Sequence, residues 1–279
     1  RGVYDPAAEI LSRQSRQIGV NPGSGSGVDR AAASERVPFR IGPLSVWPPV
    51  VLAPMAGITN PPFRALCRRF GAGLCLSEMI NARPLVYGDR KTLQLASFAP
   101  EETIRSLQLY GVDPYYVGEA ARRLSAEGKV DHLDLNFGCP VRKVTSKGGG
   151  AAIPLRPRLF RNIVRAAVSG AGEVPVTVKL RIGIDDRLQT FLESGRIAEE
   201  EGCAAVCLHA RTAVQLYSGS ARWEAIAELK QKLCRMPVLG NGDIWEAHDA
   251  LRMVRTTGCD GVVVGRGCLG RPWLFRELR

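Results

Sequence analysis

A chain of 279 residues, 45% hydrophobic and 23% charged, has the make-up of a water-soluble globular fold with room for one large core. No apolar run nears the ~18 residues needed to span a bilayer, and the N-terminal stretch lacks the charged-then-apolar layout of a secretory signal, so a cytoplasmic protein without membrane contact is expected. A net charge of +11 points to a polyanionic partner, while leaving RNA, DNA, anionic lipid and a merely well-solvated basic surface open.

The first residue is Arg rather than Met, so translation is expected to begin upstream. Residues 1–38 hold few large apolar side chains and a Gly/Ser/Pro-rich stretch at 21–27. Such a segment cannot bury enough surface to offset the entropy of ordering, and a disordered tail is expected. Residues 39–47 read as a short extended lead-in suited to capping the bottom of a barrel. From Pro49 a strand-then-helix alternation repeats. Strands are expected at 50–54, 74–77, 103–109, 132–135, 176–180, 204–209, 237–240 and 261–264. Helical patterns lie between them at 61–70, 114–127, 157–169, 189–201, 222–234 and 246–257, whereas 79–97 reads as a longer loop with some helix. The strands are short, Val/Leu-rich and apolar on both faces, as parallel strands covered by helices should be. Eight such units over roughly 230 residues fit an α/β fold of the (β/α)8 TIM-barrel type, with a doubly wound sheet as the runner-up. Few residues follow the last strand, so the barrel domain is expected over 39–279 with its eighth helix incomplete.

The eight cysteines include no C-x-x-C pair, so neither structural zinc nor an iron–sulfur cluster is expected. Cys67, Cys75, Cys203, Cys207, Cys234 and Cys259 fall in apolar periodic segments and read as buried small hydrophobes. Cys139 and Cys268 lie instead in Gly-rich loops.

Cys139 belongs to Leu135-Asn136-Phe137-Gly138-Cys139-Pro140, which ends the fourth strand and runs at once into basic residues. Chemistry in such folds gathers at the carboxyl ends of strands. Asn241-Gly242-Asp243 and Gly265-Arg266-Gly267 follow the seventh and eighth strands, where barrels commonly build a phosphate site from backbone N–H groups and a helix N-terminus. Taken alone, Asn-Gly-Asp is merely a turn with an N-cap Asp opening a helix at Ile244; the two glycine loops together favour phosphate. Lys179 sits near the end of the apolar fifth strand and is costly there without a negative partner. Gln108 and His209 end the third and sixth strands and reach the same face, with Arg211 a candidate second phosphate contact. Pro54-Met55-Ala56-Gly57 ends the first strand and offers a flat apolar floor. His132 and His248 read as packing or surface residues. A flat floor, a phosphate anchor, a buried cation and a thiol suit bound flavin mononucleotide beside a substrate protonated by cysteine.

With these residues in place, the chain resembles the tRNA-dihydrouridine synthases, most of all their bacterial B-type branch. The resemblance runs from Ile41 to Arg279. It rests on Leu52 to Gly57, Gln108, Leu135 to Pro140, Lys147 with Gly148 to Ala152, Lys179-Leu180-Arg181, His209-Ala210-Arg211-Thr212, Tyr217-Ser218-Gly219, Asn241-Gly242-Asp243 and Gly265-Arg266. It implies that Pro54, Met55 and Ala56 line FMN and that Gln108 and Lys179 hydrogen-bond its ring. His209, Asn241, Gly242, Asp243, Gly265 and Arg266 would hold the ribityl phosphate. NADPH or NADH would reduce FMN, a hydride would pass to C6 of a tRNA uridine, and Cys139 would protonate C5 while Asn136 orients the uracil. A free thiol is mostly protonated at neutral pH, which favours an acid over a nucleophile. The uridine must leave its stack to reach such a pocket. Arg142, Lys143, Lys147, Arg181 and Arg211 would then supply salt-sensitive phosphate contacts around the mouth, although each alone is as easily a solvated surface charge. On this resemblance the family's C-terminal helical domain is expected to be absent or truncated in this sequence, and a monomer is expected. An FMN barrel acting on a free pyrimidine and a non-catalytic RNA-binding barrel are the alternatives.

Overall fold

A computed structural model describes residues 38–279. The tail expected over 1–38 lies outside the described residues as far as residue 37. A hairpin comes first, β1 (Phe39–Ile41) and β2 (Leu44–Val46), paired antiparallel. Phe39, Ile41 and Val46 are buried among Val51, Leu74, Leu76, Cys207, Leu239 and Val263, so the expected lead-in does plug the barrel interior.

The barrel strands are β3 (Val50–Leu52), β4 (Leu74–Asn81), β5 (Ser106–Tyr110), β6 (His132–Phe137), β7 (Val176–Arg181), β8 (Ala205–His209), β9 (Val238–Asn241) and β10 (Gly261–Val264). All neighbours are parallel, and β10 pairs with β3 in the register Val262↔Val50 to close an eight-stranded barrel. This is the (β/α)8 fold read from the sequence. The long helices return the chain along the outside: α1 (Pro61–Arg69), α4 (Pro114–Ala126), α6 (Pro157–Ala171), α7 (Phe191–Glu200), α8 (Trp223–Lys232) and α9 (Ala247–Thr257). Their starts are chemically marked. Asn60 accepts the Phe63 N–H and Asp113 the Tyr115 N–H, each followed by proline at the first helical position.

Period-two alternation divides the core. Val50, Leu52, Val206, Leu208, Val238, Val262 and Val264 pack outward with the helices, while Val51, Cys207, Leu239 and Val263 point into the barrel. The inward face is apolar only on one side. On β5, β6 and β7 it carries Ser106, Gln108, His132, Asp134 and Thr177, all buried, where the sequence reads as apolar on both faces.

Three further elements depart from expectation. β4 runs to Asn81 through a register shift between Leu76 and Met79, and two short helices follow, α2 (Ala82–Val86) and α3 (Arg90–Leu95). A strand bulge of this kind re-aims side chains at a barrel rim. α9 starts at Ala247 rather than Ile244, and Asp249 accepts the Trp245 and Glu246 N–H groups at 3.0 Å each. After β10 come a 3-10 turn (Arg266–Cys268) and α10 (Leu274–Glu277), whose Leu274 and Phe275 are fully buried in the core where the incomplete eighth helix was expected. Cys67, Cys75, Cys203, Cys207, Cys259 and Cys268 are buried, but Cys234 is exposed, because α8 ends at Lys232 and the chain turns outward there.

Candidate active site

A cavity of about 490 Å3 opens at the carboxyl ends of the strands. A larger groove of about 740 Å3 lies on the outer wall between α8 and α9. The strand-end cavity is the candidate site because residues in or directly after all eight barrel strands converge in it, as barrel chemistry requires.

Its floor is the turn after β3, with Pro54, Met55 and Ala56 lining it. The turn is buttressed from beneath. Thr59 Oγ1 accepts the Met55 N–H at 3.1 Å, and the buried Arg64 donates to Thr59 O at 2.7 Å while its Nε meets Glu102 at 2.7 Å. Glu78, within the β4 register shift, accepts the Gly57 N–H at 2.5 Å.

One wall comes from β5 and β6. Gln108 Nε2 donates to Asp134 Oδ2 at 2.7 Å, and its Oε1 accepts Asn136 Nδ2 at 2.8 Å. Asn136 Oδ1 in turn accepts the Cys139 N–H at 2.9 Å and the Gly138 N–H at 3.2 Å. Cys139 is half-buried and lines the cavity. The amide of Asn136 therefore shapes the turn that carries the thiol, besides facing the cavity.

The opposite wall is cationic. Lys179 Nζ donates to Asn241 Oδ1 at 3.0 Å, and Asn241 Nδ2 donates to Val263 O at 2.7 Å. The partner is an amide oxygen, where a negative group was expected, and burial lowers the pKa of the lysine. Arg181 is not on an exposed rim. It is 4% exposed, donates to Gly138 O, Thr212 O and Leu216 O, and lies 5.6 Å from the Tyr217 ring centre. Burial brings its pKa down to about 10. Arg211, also expected at the mouth, is 2% exposed and tied to Ser218 O, Gly219 O and Asp243. Both arginines are inside because the 212–219 loop folds over them and turns its carbonyls onto their guanidinium groups. Arg266 is stacked between Tyr217 at 4.7 Å and Trp245 at 5.3 Å. His209 sits among Lys179, Arg181, Arg211 and Arg266, and burial followed by these charges lowers its pKa well below the usual value, so the ring is neutral.

The loops after β9 and β10 meet at this wall. Gly242 has φ +124°, and a Cβ there would lie 2.7 Å from Ala221 Cβ and 3.7 Å from Arg211 Nη1. Arg211 Nη1 is buried without a hydrogen-bond partner. An unpaired, buried cationic N–H beside a glycine turn is a cradle for an anion. Asp243 contributes no N-cap. Its carboxylate holds Arg211 at 2.7 Å and the Ala221 N–H at 2.7 Å.

Thus Pro54, Met55, Ala56, Gln108, Asn136, Cys139, Lys179, Arg181, His209, Arg211, Asn241, Gly242, Asp243, Gly265 and Arg266 line one cavity. Arg142, Lys143 and Lys147 do not. They stand exposed on and after α5 (Arg142–Thr145), beside the cavity lip formed by Pro140 and Val141. Sequence reasoning passed over Met79, Trp245, Asp134 and Glu78. Asp134 was findable, since His132, Asp134 and Asn136 alternate and must share a face. Among the described residues no group of three His, Cys, Asp or Glu could hold a metal ion, and no helix is long and apolar enough to cross a membrane.

Fold and site together define a parallel (β/α)8 barrel with a cation-walled anion cradle and a thiol at the catalytic end. Residues 51–279 match the dihydrouridine synthase (Dus) family model, and the chain belongs to that family. It is 57% identical over 258 residues to a Mycobacterium tuberculosis (strain CDC 1551 / Oshkosh) protein named "Probable tRNA-dihydrouridine synthase", the match covering 89% of this chain and 66% of that protein. It is 43% identical over 244 residues to tRNA-dihydrouridine synthase B of Xanthomonas axonopodis pv. citri (strain 306), covering 86% of this chain and 71% of that protein, in keeping with the B branch. The chain thus spans about two thirds of the length of these relatives. Among solved structures, the fold resembles the 6-hydroxypseudooxynicotine amine oxidase of Pseudomonas geniculata N1, with TM-score 0.67 and 16% identity over 88% of this chain and 49% of that one. It also resembles morphinone reductase, with TM-score 0.59 and 15% identity over 88% and 90%.

Proposed function

We propose that the cavity binds FMN and that the protein reduces the C5=C6 bond of specific uridines in tRNA, with NADPH or NADH as reductant, in the cytoplasm where tRNA is matured. The observation that carries this reading is the half-buried Cys139 thiol sharing one cavity with a buried, unpartnered Arg211 N–H. Family membership supports the reaction class.

The residues present fit FMN. Arg211 Nη1, the Gly242 turn, Gly265 and Arg266 form a cationic cradle of the kind a phosphate takes, with Asn241 and neutral His209 beside it. The side chain of Asp243 serves there only indirectly, by fixing Arg211. Pro54, Met55 and Ala56 would lie against the ring, and Gln108 and Lys179 would bond its polar edge. When bound, a flavin supplies hydride transfer between the nicotinamide and the uracil.

The chain's own part is acid catalysis and positioning. Cys139 donates its S–H proton to C5 as C6 gains the hydride, leaving a thiolate that solvent reprotonates. Asn136 holds the Cys139 turn by the 2.9 Å bond to its N–H and keeps that thiol at the cavity. Arg142, Lys143 and Lys147 stand free at the lip, suited to RNA phosphates around an extruded uridine. Arg181 is occupied by loop carbonyls and acts by holding the wall together.

The test is reduction of unmodified tRNA by the purified protein with NADPH. Cys139→Ala should lower dihydrouridine formation by about 10²–10⁴-fold while leaving bound flavin intact. A colourless protein that takes up no FMN, or unchanged turnover in the variant, would overturn the proposal. Equal turnover on free uracil would favour the small-molecule alternative.

A further inference from the structure

Below the cavity floor, inward side chains of β5, β6 and β7 form one unbroken hydrogen-bonded chain. Ser106 Oγ lies 2.7 Å from His132 Nδ1, and His132 Nε2 lies 2.9 Å from Thr177 Oγ1. Thr177 Oγ1 donates to Asp134 Oδ1 at 2.6 Å. From Asp134 Oδ2 the chain passes through Gln108 and Asn136 to the Cys139 N–H, with links of 2.7, 2.8 and 2.9 Å.

The polarity of this chain follows from one group. Thr177 has a single hydroxyl proton and gives it to Asp134, so His132 must donate from Nε2 and accept the Ser106 hydroxyl proton at Nδ1. An ionised carboxylate only accepts. Gln108 must therefore turn its NH2 toward Asp134 and its oxygen toward Asn136. Asn136 must then give its NH2 to Gln108 and keep its oxygen for the backbone N–H groups of the thiol turn. An amide has no such preference by itself, since its two ends have nearly the same shape.

We infer that Asp134 is a positioning residue: it fixes which end of the Gln108 amide faces Asn136 and, by keeping an acceptor for the Asn136 NH2, helps that side chain hold Cys139 in place. The consequence for turnover rests on the reading of Cys139 given above. The positioning itself can be tested on apo-protein with neither flavin nor tRNA, so the two ideas fail separately.

Asp134→Leu removes both acceptor oxygens at once, so the Gln108 NH2 has no partner below it and nothing on that side holds the amide in its present sense. Combining Asp134→Asn with Gln108→Glu restores the chain, because the new amide accepts from Thr177 and donates to a side chain at 108 that accepts from both sides. The readout is the rate of iodoacetamide alkylation of Cys139, followed by peptide mass spectrometry between pH 7 and 10, with exposed Cys234 as internal reference. A loosened turn raises the high-pH plateau rate, whereas mere loss of a nearby charge moves only the midpoint. The plateau for Asp134→Leu should rise about tenfold, the scale of one lost hydrogen bond, and the double variant Asp134→Asn with Gln108→Glu should return to within about twofold of wild type. An unchanged plateau, or a double variant no closer to wild type than the single, overturns the inference. Should the single variant unfold, the comparison moves to thermal midpoints: the double variant must recover the wild-type Tm, and failure to do so overturns the inference equally.

Discussion

Arg211→Met removes the guanidinium on which the anion cradle depends while keeping a long side chain in its place. In the folded protein Nε and Nη2 are committed to Ser218 O, Gly219 O and the Asp243 carboxylate, and Nη1 faces the Gly242 turn without a partner. Two effects are separable. Breaking a buried pair from one side typically costs about 3–5 kcal/mol. The Asp243 side chain is 24% exposed and keeps the Ala221 N–H, so screening and that remaining bond bring the expected loss of stability to about 2–3 kcal/mol. For the ligand, the loss is one charge-assisted hydrogen bond to phosphate, about 1.5–3 kcal/mol, or a roughly 10- to 150-fold rise in Kd. Riboflavin has the same ring and no phosphate. Titrating FMN and riboflavin into apo-protein, with quenching of flavin fluorescence as the signal, should show the full loss for FMN and less than about a threefold change for riboflavin. Equal weakening of both ligands would mean that the variant merely disorders the cavity, and no change in either would remove Arg211 from the cradle.

Two further expectations concern the fold beneath the site. Arg64→Met leaves Glu102, whose side chain is 2% exposed, without its cation; urea denaturation should report a loss of about 3–5 kcal/mol, and a loss below ~1 kcal/mol would mean that the Ala99 N–H alone suffices for the carboxylate. His132 titrates near pH 3 in the fold because burial disfavours its charged form, against 6.5 unfolded. A depressed folded pKa means stability that is present above pH 6.5 and lost as pH falls toward 3. Asp134 acts in the opposite sense, since burial raises its pKa from 3.8 to about 6 and the fold gains as pH falls through that interval. Comparing wild type with His132→Gln cancels the Asp134 contribution. The stability difference between them should shift by about 2 kcal/mol against wild type from pH 7 to pH 5, and a pH-independent difference would show that the imidazole protonates freely in the fold.

What the sequence made legible was whatever is local. Short Val/Leu-rich runs marked all eight barrel strands, and glycines directly after β9 and β10 marked two turns that line the cavity, because a strand, a turn and a close backbone approach each depend on a few adjacent residues. The polar chain was hidden for the opposite reason. Period-two alternation says which residues share a face, but not whether that face is apolar, and Gln108, Asp134 and Thr177 become neighbours only through the register of three strands. Arg181 and Arg211 were misjudged in the same way: a cation just past a strand end reads as rim until a loop folds its carbonyls over it. The 79–97 region resisted reading because the bulge at Leu76/Met79 breaks the alternation on which the strand could have been followed to Asn81.

The cation wall bears on why the cavity and the fold are linked. Lys179, Arg181, Arg211 and Arg266 converge around His209, and among the described residues Asp243 is the one carboxylate lining the cavity with them. Four cations around one cavity repel one another. The folded chain limits that repulsion by keeping the imidazole neutral, by lowering the Lys179 and Arg181 pKa values through burial, and by turning loop carbonyls and two aromatic rings onto the guanidinium groups. Nη1 of Arg211 is left outside that compensation, so an anion at Gly242 gains what the protein itself does not supply. Any ligand that binds only the folded state adds to stability by mass action. On the proposed reading, the same unpaired N–H that would bind a phosphate would also make the barrel more stable with that phosphate than without it.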